Sequence, residues 1–383
     1  MSASSETAVS FTMVKEAFVA HYDLERRKFK GSTVSGRNAA RRLLYDAIQD
    51  CSEAELAELK AKYEFEDVVK FLRCEAYQRA WYSPKKWYDY ARTVFMGLAI
   101  GFAGVIPFFV IMVLSRLIAA PLQRCLCRRR PVDMGHYWRV QSFLAEAIAN
   151  LFGICVEVVG QENMKPVQQN PQKYIGMFSH MSNADPFVIM HALRQNFLWT
   201  FKKELVYVPS FALITYALEM EDGLMPRWNR QQAIETCNRL AASERPPMVA
   251  PEGSRSRTGL ILPELKKGIF HVQQQRKAMI LPIVMIGAYE LWPPGGVCRM
   301  ATCKVSILPA MEVPEDEPQE RTRERLRRLY IKESAKDWGD LDRISPVFLF
   351  KHVFFWLPFW GFCFYLIYYT AAIVAAFVLG GLR

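Results

Sequence analysis

A histidine and an aspartate five positions apart, His180 and Asp185, stand in the stretch Phe178-Ser179-His180-Met181-Ser182-Asn183-Ala184-Asp185-Pro186. An apolar strand pattern ends at Phe178, and Pro186 suits the first turn of a helix, with Asp185 as the expected N-cap. The imidazole therefore lies on a short connecting turn that can fold it back towards the carboxylate. A carboxylate on one ring nitrogen fixes the tautomer and raises the basicity of the other, which can then take a proton from an attacking hydroxyl. By itself such a pair is a weak signal, since capping aspartates and structural loop histidines are common.

Three further blocks follow in order. The second is Leu224-Met225-Pro226-Arg227-Trp228-Asn229-Arg230, and the third is Pro251-Glu252-Gly253-Ser254-Arg255-Ser256-Arg257 with Leu265-Lys266-Lys267-Gly268 behind it. The fourth is Leu281-Pro282-Ile283-Val284. A phosphate monoester carries up to two charges, and arginine forks grip its oxygens bidentately, which isolated amines do less well. Arg227 and Arg255 are thus candidate anion-binding residues, with Arg230 and Arg257 equally open to plain surface pairing.

The elements needed to position these residues are legible as an alternation. Strand patterns fall at Ile154–Val159, Tyr174–Phe178, Phe197–Phe201, Pro247–Ala250, Ala278–Ile286 and Thr302–Leu308. Helical patterns fall at Arg139–Phe152, Pro186–Arg194, Ser210–Ala217, Gln231–Ala242, Lys266–Gln275 and Arg321–Ala335. Short apolar strands alternating with helices predict an α/β layer fold. There is no internal repeat and no low-complexity tract.

On both sides of this domain the chain turns apolar. Val94–Leu114 holds no charged residue, and its 21 residues at ~1.5 Å each just cross a ~30 Å hydrocarbon core. Gly101, Gly104 and Pro107 interrupt it, so a kinked span and a re-entrant hairpin both fit. Trp81, Tyr82, Trp87, Tyr88 and Tyr90 precede it as interface aromatics do. Val353–Leu382 is a second uncharged run, broken by Pro358 and Gly361, that suits a tilted span or an interfacial helix leading into one. Lys85, Lys86 and Arg92 precede the first run, and the larger basic cluster, Arg116, Arg124 and Arg128 to Arg130, follows it. By the positive-inside rule this puts the central domain in the cytosol, while a hairpin that never crosses explains charge on both sides equally well.

The expected organisation is a helical N-terminal region over 1–90, a transmembrane or re-entrant segment over 91–123, the α/β domain over 124–346 and a transmembrane segment over 347–383. The N-terminal region carries no chemistry, and a packing or regulatory role is the plain reading. It has no short apolar leader and holds Glu6, Glu16, Asp23 and Glu25, unlike a secretory signal or a transit peptide.

The bulk composition narrows the class. A hydrophobic fraction of 51% over 383 residues, with mean hydropathy near zero, is high for a soluble chain, and the excess lies in the two apolar runs. A formal charge of +11 suits either nucleic acid or anionic lipid and phosphorylated substrates. No zinc-finger spacing, RNP-like strand or DNA-reading basic helix is present, so no nucleic-acid partner is expected. Nine scattered cysteines without paired CxxC motifs read as reduced thiols, with Cys125 and Cys127 open to palmitoylation, and no metal is implied.

In that order and spacing the four blocks resemble the acyltransferases of glycerolipid synthesis, the family of lysophosphatidic acid and glycerol-3-phosphate acyltransferases, over roughly residues 170–310. The resemblance implies an α/β acyltransferase domain, a mixed sheet flanked by helices, with membrane-embedded helices on both sides. It gives His180 and Asp185 the catalytic dyad positions, and Arg227, Glu252, Gly253, Arg255 and Lys267 the substrate phosphate, with Lys202 and Lys203 near the same pocket. Phe201-Lys202-Lys203-Glu204-Leu205 with Val208-Pro209 looks most like the lysophosphatidic acid enzymes. Pro226 and Ala250 depart from the family's frequent Asp and Phe, and Ser254 stands for a frequent Thr, which keeps the hydroxyl.

The reaction so implied is direct attack of the acceptor hydroxyl on acyl-CoA, a co-substrate, with no cofactor, in a membrane of the endoplasmic reticulum with the domain facing the cytosol. A glycerol-3-phosphate or lysophospholipid acyltransferase, a transacylase, and a non-catalytic membrane protein of the same fold are the alternatives. A serine hydrolase is disfavoured, because no Gly-x-Ser-x-Gly elbow is present.

Overall fold

The computed structural model describes residues 22–23, 28–29, 87–98, 125, 137–217, 220–226, 229–256, 261, 265–294, 296–341 and 343–380. Six strands form its main sheet: β1 (Ile154–Val159), β2 (Tyr174–Phe178), β3 (Leu198–Trp199), β4 (Pro247–Val249), β5 (Met279–Ile286) and β6 (Ala301–Ile307). Their order across the sheet is β1-β6-β5-β2-β4-β3. Strands β5, β2, β4 and β3 run parallel, whereas β6 is antiparallel to β5 and parallel to β1. The sheet is therefore mixed.

Composition tracks position. Central strands β2 and β5 read as continuous apolar runs and are covered on both faces, while edge strand β1 leaves Glu157 and Val159 exposed. Pro282 lies inside β5, where a missing N–H is costly unless the ladder ends there. It does end: Leu308 donates its N–H to the Pro282 carbonyl at 3.0 Å, no bond can return, and the β5–β6 register stops at Ile283–Ile307.

Seven helices matter to the site: α1 (Trp87–Leu98), α2 (Tyr137–Leu151), α3 (Asp185–Leu193), α4 (Pro209–Ala217), α5 (Arg230–Ala242), α6 (Lys267–Arg276) and α7 (Gln319–Ala335). Helices α3 and α7 cover opposite faces of the sheet, as β6 makes plain. Cys303 lies near enough to feel the Asp185 charge from α3, while Ser306, three positions on and so on the other face, donates its hydroxyl to Glu333 of α7 at 2.6 Å.

The C-terminal run differs from the expected broken segment. Pro346–Lys351 is α-helical, His352–Trp356 is wound as a π-helical turn, and Leu357–Gly380 continues as one α-helix. Pro358 does not end the helix, because it falls in the first turn after the wider π turn, where the loss of one donor is absorbed. Trp356, Trp360 and Cys363 bury one side of this helix, and Trp360 donates its indole N–H to the Ala147 carbonyl of α2 at 3.1 Å. Its other side exposes Phe350, Phe354, Phe362 and Tyr368. Among the described residues, Pro346–Leu366 is the helix long and apolar enough to cross a membrane, by length and composition. The helical reading of residues 1–90 and the first apolar run beyond Leu98 lie outside the described residues, apart from α1 and two-residue strands at Tyr22–Asp23 and Lys28–Phe29.

Candidate functional site

Strands β2 and β4 are neighbours in the sheet, and the first and third blocks leave from their C-terminal ends. That edge is where open parallel sheets place ligands, since the chain must leave each strand there and its loops converge. Ser179 extends the hold of the sheet past the end of β2. Its N–H donates to the Ile283 carbonyl at 3.0 Å, and its hydroxyl accepts the Met285 N–H at 2.9 Å.

His180 follows, with a side chain 20% exposed, and its Nδ1 lies 2.8 Å from Oδ2 of the fully buried Asp185. The same oxygen accepts the backbone N–H groups of Met181 at 2.6 Å and Ser182 at 2.8 Å. An ionised carboxylate can only accept, so Nδ1 carries the hydrogen and Nε2 keeps the lone pair. Asp185 is not the N-cap expected from the sequence. Ala184 occupies that position, Asp185 is the first residue of α3, and its carboxylate turns back into the preceding turn instead of onto the helix. Three donors converging on one oxygen outcompete a cap, and they bind turn and helix into one rigid unit. Ser182 and Asn183 anchor the turn from outside, the Ser182 hydroxyl at 2.9 Å and the Asn183 N–H at 3.2 Å from the Trp292 carbonyl. Phe178 packs edge-on against the imidazole, ring centroids 5.5 Å apart.

The third block closes over the same turn. Glu252 is 1% exposed, and its Oε1 accepts the His180 backbone N–H at 3.1 Å. Burial, reinforced by the nearby Asp185 charge, pushes its carboxyl up to about 8, although the His180 N–H bond acts the other way. Gly253 adopts a left-handed φ of 68°, and a Cβ there would come within 2.9 Å of the Lys266 side chain, so the turn demands glycine. Ser256 then donates its N–H to the His180 carbonyl at 2.8 Å.

The comparisons with known proteins fall on these same elements. Residues 155–286 match the family model described as Acyltransferase, which takes in β1 from its second residue, β2 through β5 and all four blocks entire. This segment is similar to an acyltransferase domain. A yeast protein (Saccharomyces cerevisiae) named 1-acyl-sn-glycerol-3-phosphate acyltransferase is 34% identical over 169 residues, 41% of this chain and 52% of that one. A coconut (Cocos nucifera) protein of the same name is 32% identical over 118 residues, 30% of this chain and 37% of its own. The mouse (Mus musculus) alpha form is 29% identical over 213 residues, 53% and 70% of the two chains. The chain thus spans about half or less of the length of the first two relatives. The crystal structure of the lysophosphatidic acid acyltransferase PlsC from Thermotoga maritima aligns with a TM-score of 0.47 at 16% identity, covering 63% of this chain and 98% of that one. The family read from the four blocks is the family these comparisons find.

Within the matched segment the phosphate-binding residues expected from the resemblance separate. Arg255, Lys203 and Lys267 are exposed, and Lys267, at the first position of α6, sits 3.7 Å from Glu320 of α7. Lys202 is half-buried and pairs in the two-residue parallel ladder Phe201–Lys202 with Leu224–Met225, which brings the second block beside it. Arg230 opens α5 and is exposed. Arg227 and Arg257 lie outside the described residues. Glu252 and Gly253 form the turn under His180. Among the described residues no three His, Cys, Asp or Glu side chains converge as a metal site.

Sequence reasoning missed two contributors. Ser256 acts through its backbone N–H, which no residue-type pattern reports. Trp292, whose carbonyl anchors the Ser182–Asn183 turn, lies more than a hundred residues downstream and outside every block.

Proposed function

We propose that this chain is a 1-acylglycerol-3-phosphate O-acyltransferase, moving a fatty acyl group from acyl-CoA to the free hydroxyl of lysophosphatidic acid to give phosphatidic acid. The observation that carries the reading is the His180–Asp185 pair, with Nδ1 committed to the carboxylate at 2.8 Å and Nε2 left for substrate, inside an acyltransferase domain. The relatives' names supply the acceptor and product class.

In this mechanism the acceptor hydroxyl gives its proton to His180 Nε2 as its oxygen attacks the thioester carbonyl. A new C–O bond forms, and the carbonyl π pair becomes an oxyanion. Collapse of that intermediate breaks the C–S bond, and the imidazolium returns its proton to the departing CoA sulfur. Asp185 remains ionised throughout and stabilises the imidazolium. Arg227, Arg255 and Lys267 hold the acceptor phosphate through charge-assisted bonds, with the Arg255 and Lys267 side chains exposed to reach it. The apolar C-terminal helix seats the domain on the bilayer that supplies both lipids, and the endoplasmic reticulum membrane, with the domain in the cytosol, is the proposed location.

The test is CoA release by the purified protein in lipid or detergent, with oleoyl-CoA and lysophosphatidic acid, glycerol-3-phosphate or lysophosphatidylcholine, beside His180→Ala. Turnover on lysophosphatidic acid that vanishes in the variant supports the reading. Preference for another acceptor with a dead variant keeps the mechanism and changes the substrate. No turnover on any acceptor, or an equally active variant, overturns it.

A further inference from the structure

Glu252 entered the site as a phosphate-binding residue, and its placement argues for a different task. It is shut in at 1% exposure, while Arg255 beside it in the block reaches solvent. Its Oε1 takes the His180 N–H, and four residues on, the Ser256 N–H takes the His180 carbonyl. One short segment therefore holds both backbone polar groups of His180, while Asp185 holds the ring. With backbone and Nδ1 both fixed, the position of Nε2 follows from geometry.

We propose that Glu252 is a positioning residue, which grips the His180 backbone from beneath and so sets where Nε2 meets the acceptor hydroxyl, and that it does not itself bind the acceptor phosphate. The proposal rests on the acyltransferase reading for its kinetic readout alone. The groups facing the carboxyl are Asp185 from the start of α3, Tyr330 from α7 and His180 itself. Among the described residues, no ammonium or guanidinium group is hydrogen-bonded to it. A neutral Glu252 still offers a carbonyl oxygen to the His180 N–H. Its ionisation at about pH 8 sets a second buried negative charge beside Asp185 and loosens the turn.

The experiment compares wild type, Glu252→Gln and Glu252→Ala as full-length purified protein, measuring kcat and acceptor KM from about pH 6 to about pH 9.5. Glutamine keeps the accepting oxygen and cannot ionise. It is expected to hold kcat and KM within about threefold at neutral pH and to lack the wild-type fall in kcat above about pH 8. Alanine is expected to lower kcat roughly tenfold or more with acceptor KM within about threefold. If alanine does not fold, glutamine and its pH profile decide alone. A rise in acceptor KM of roughly tenfold in the glutamine variant with kcat intact would make Glu252 a substrate-binding group and overturn the proposal, as would an unchanged alkaline limb.

A second readout stands apart from activity. The NMR signal of ring-labelled histidine, assigned to His180 by substitution, should show a second inflection near pH 8 in wild type that Glu252→Gln removes. Absence of turnover in wild type defeats the acyltransferase reading and leaves this titration to judge the positioning role. The same inflection in both proteins overturns that role.

Discussion

The turn that holds His180 and the cations proposed to form the rim of the site are built by opposite means. Around His180 the groups are buried and tied to one another: Asp185 Oδ2 alone takes three donors, and the His180 backbone is held at both ends. Lys203, Arg255 and Lys267, the proposed rim, are long and exposed, and Lys267 has an exposed glutamate as its partner. Chemistry demands placement within tenths of an ångström before substrate arrives, and only a buried, multiply bonded turn supplies that. Recognition of a charged headgroup tolerates arms that order on binding, since charge-assisted bonds form once the anion is there.

If that contrast is right, damage to the turn appears in kcat and damage to the rim in KM. The largest effect expected is from His180→Ala, a loss of roughly 10²–10⁴-fold in kcat with thermal stability held. Asp185→Asn should lower kcat by a comparable or slightly smaller factor, because an amide no longer enforces the Nδ1–H tautomer. It should also lower Tm, since three donors then face a neutral acceptor, at about 1.5–3 kcal/mol for a hydrogen bond to a charged group. Arg255→Ala should instead raise acceptor KM about tenfold to a hundredfold with kcat nearly unchanged, the worth of one charge-assisted contact. A kcat effect as large as that of His180→Ala would erase the distinction between the two halves.

The pH dependence of stability sharpens it further. Glu252 has a folded pKa raised from 4.5 to about 8, so the folded state holds the proton more tightly than the unfolded one. Its contribution to stability is full below about pH 4.5 and is lost progressively as the pH rises to about 8. Chemical denaturation across that window should show wild type losing stability relative to Glu252→Gln as pH increases. The smallest effect expected is from Lys267→Ala, roughly twofold to fivefold in acceptor KM, because an exposed, solvent-screened pair contributes little.

Much of the scaffold was legible in the residues. Apolar runs and helical spacing placed β1 and β2 at their observed bounds, and β4, β5, β6 and the covering helices to within one or two residues, because periodicity is a local property that burial merely selects. Phe197–Phe201 was read as one strand but divides at Thr200 into two short pieces that pair with different partners. The spacing of His180 and Asp185 was likewise enough to bring the two together across a turn.

Direction and long-range partnership were decided by the tertiary structure alone. Asp185 read as a cap and instead points backwards, because the Met181 and Ser182 N–H groups face it only once the turn has closed. Glu252, which the resemblance sets among the headgroup contacts, lies under the histidine, because β4 sits next to β2 although 72 residues separate His180 from Glu252. Pro358 read as a break and is carried through by a π turn whose packing on α2 holds it. A sequence determines which residues can bond and where its segments want to turn. Which strand lies beside which, and hence which side chains are buried under the reacting atom, is set by how the layers assemble, a free-energy balance of the whole domain that no single segment contains.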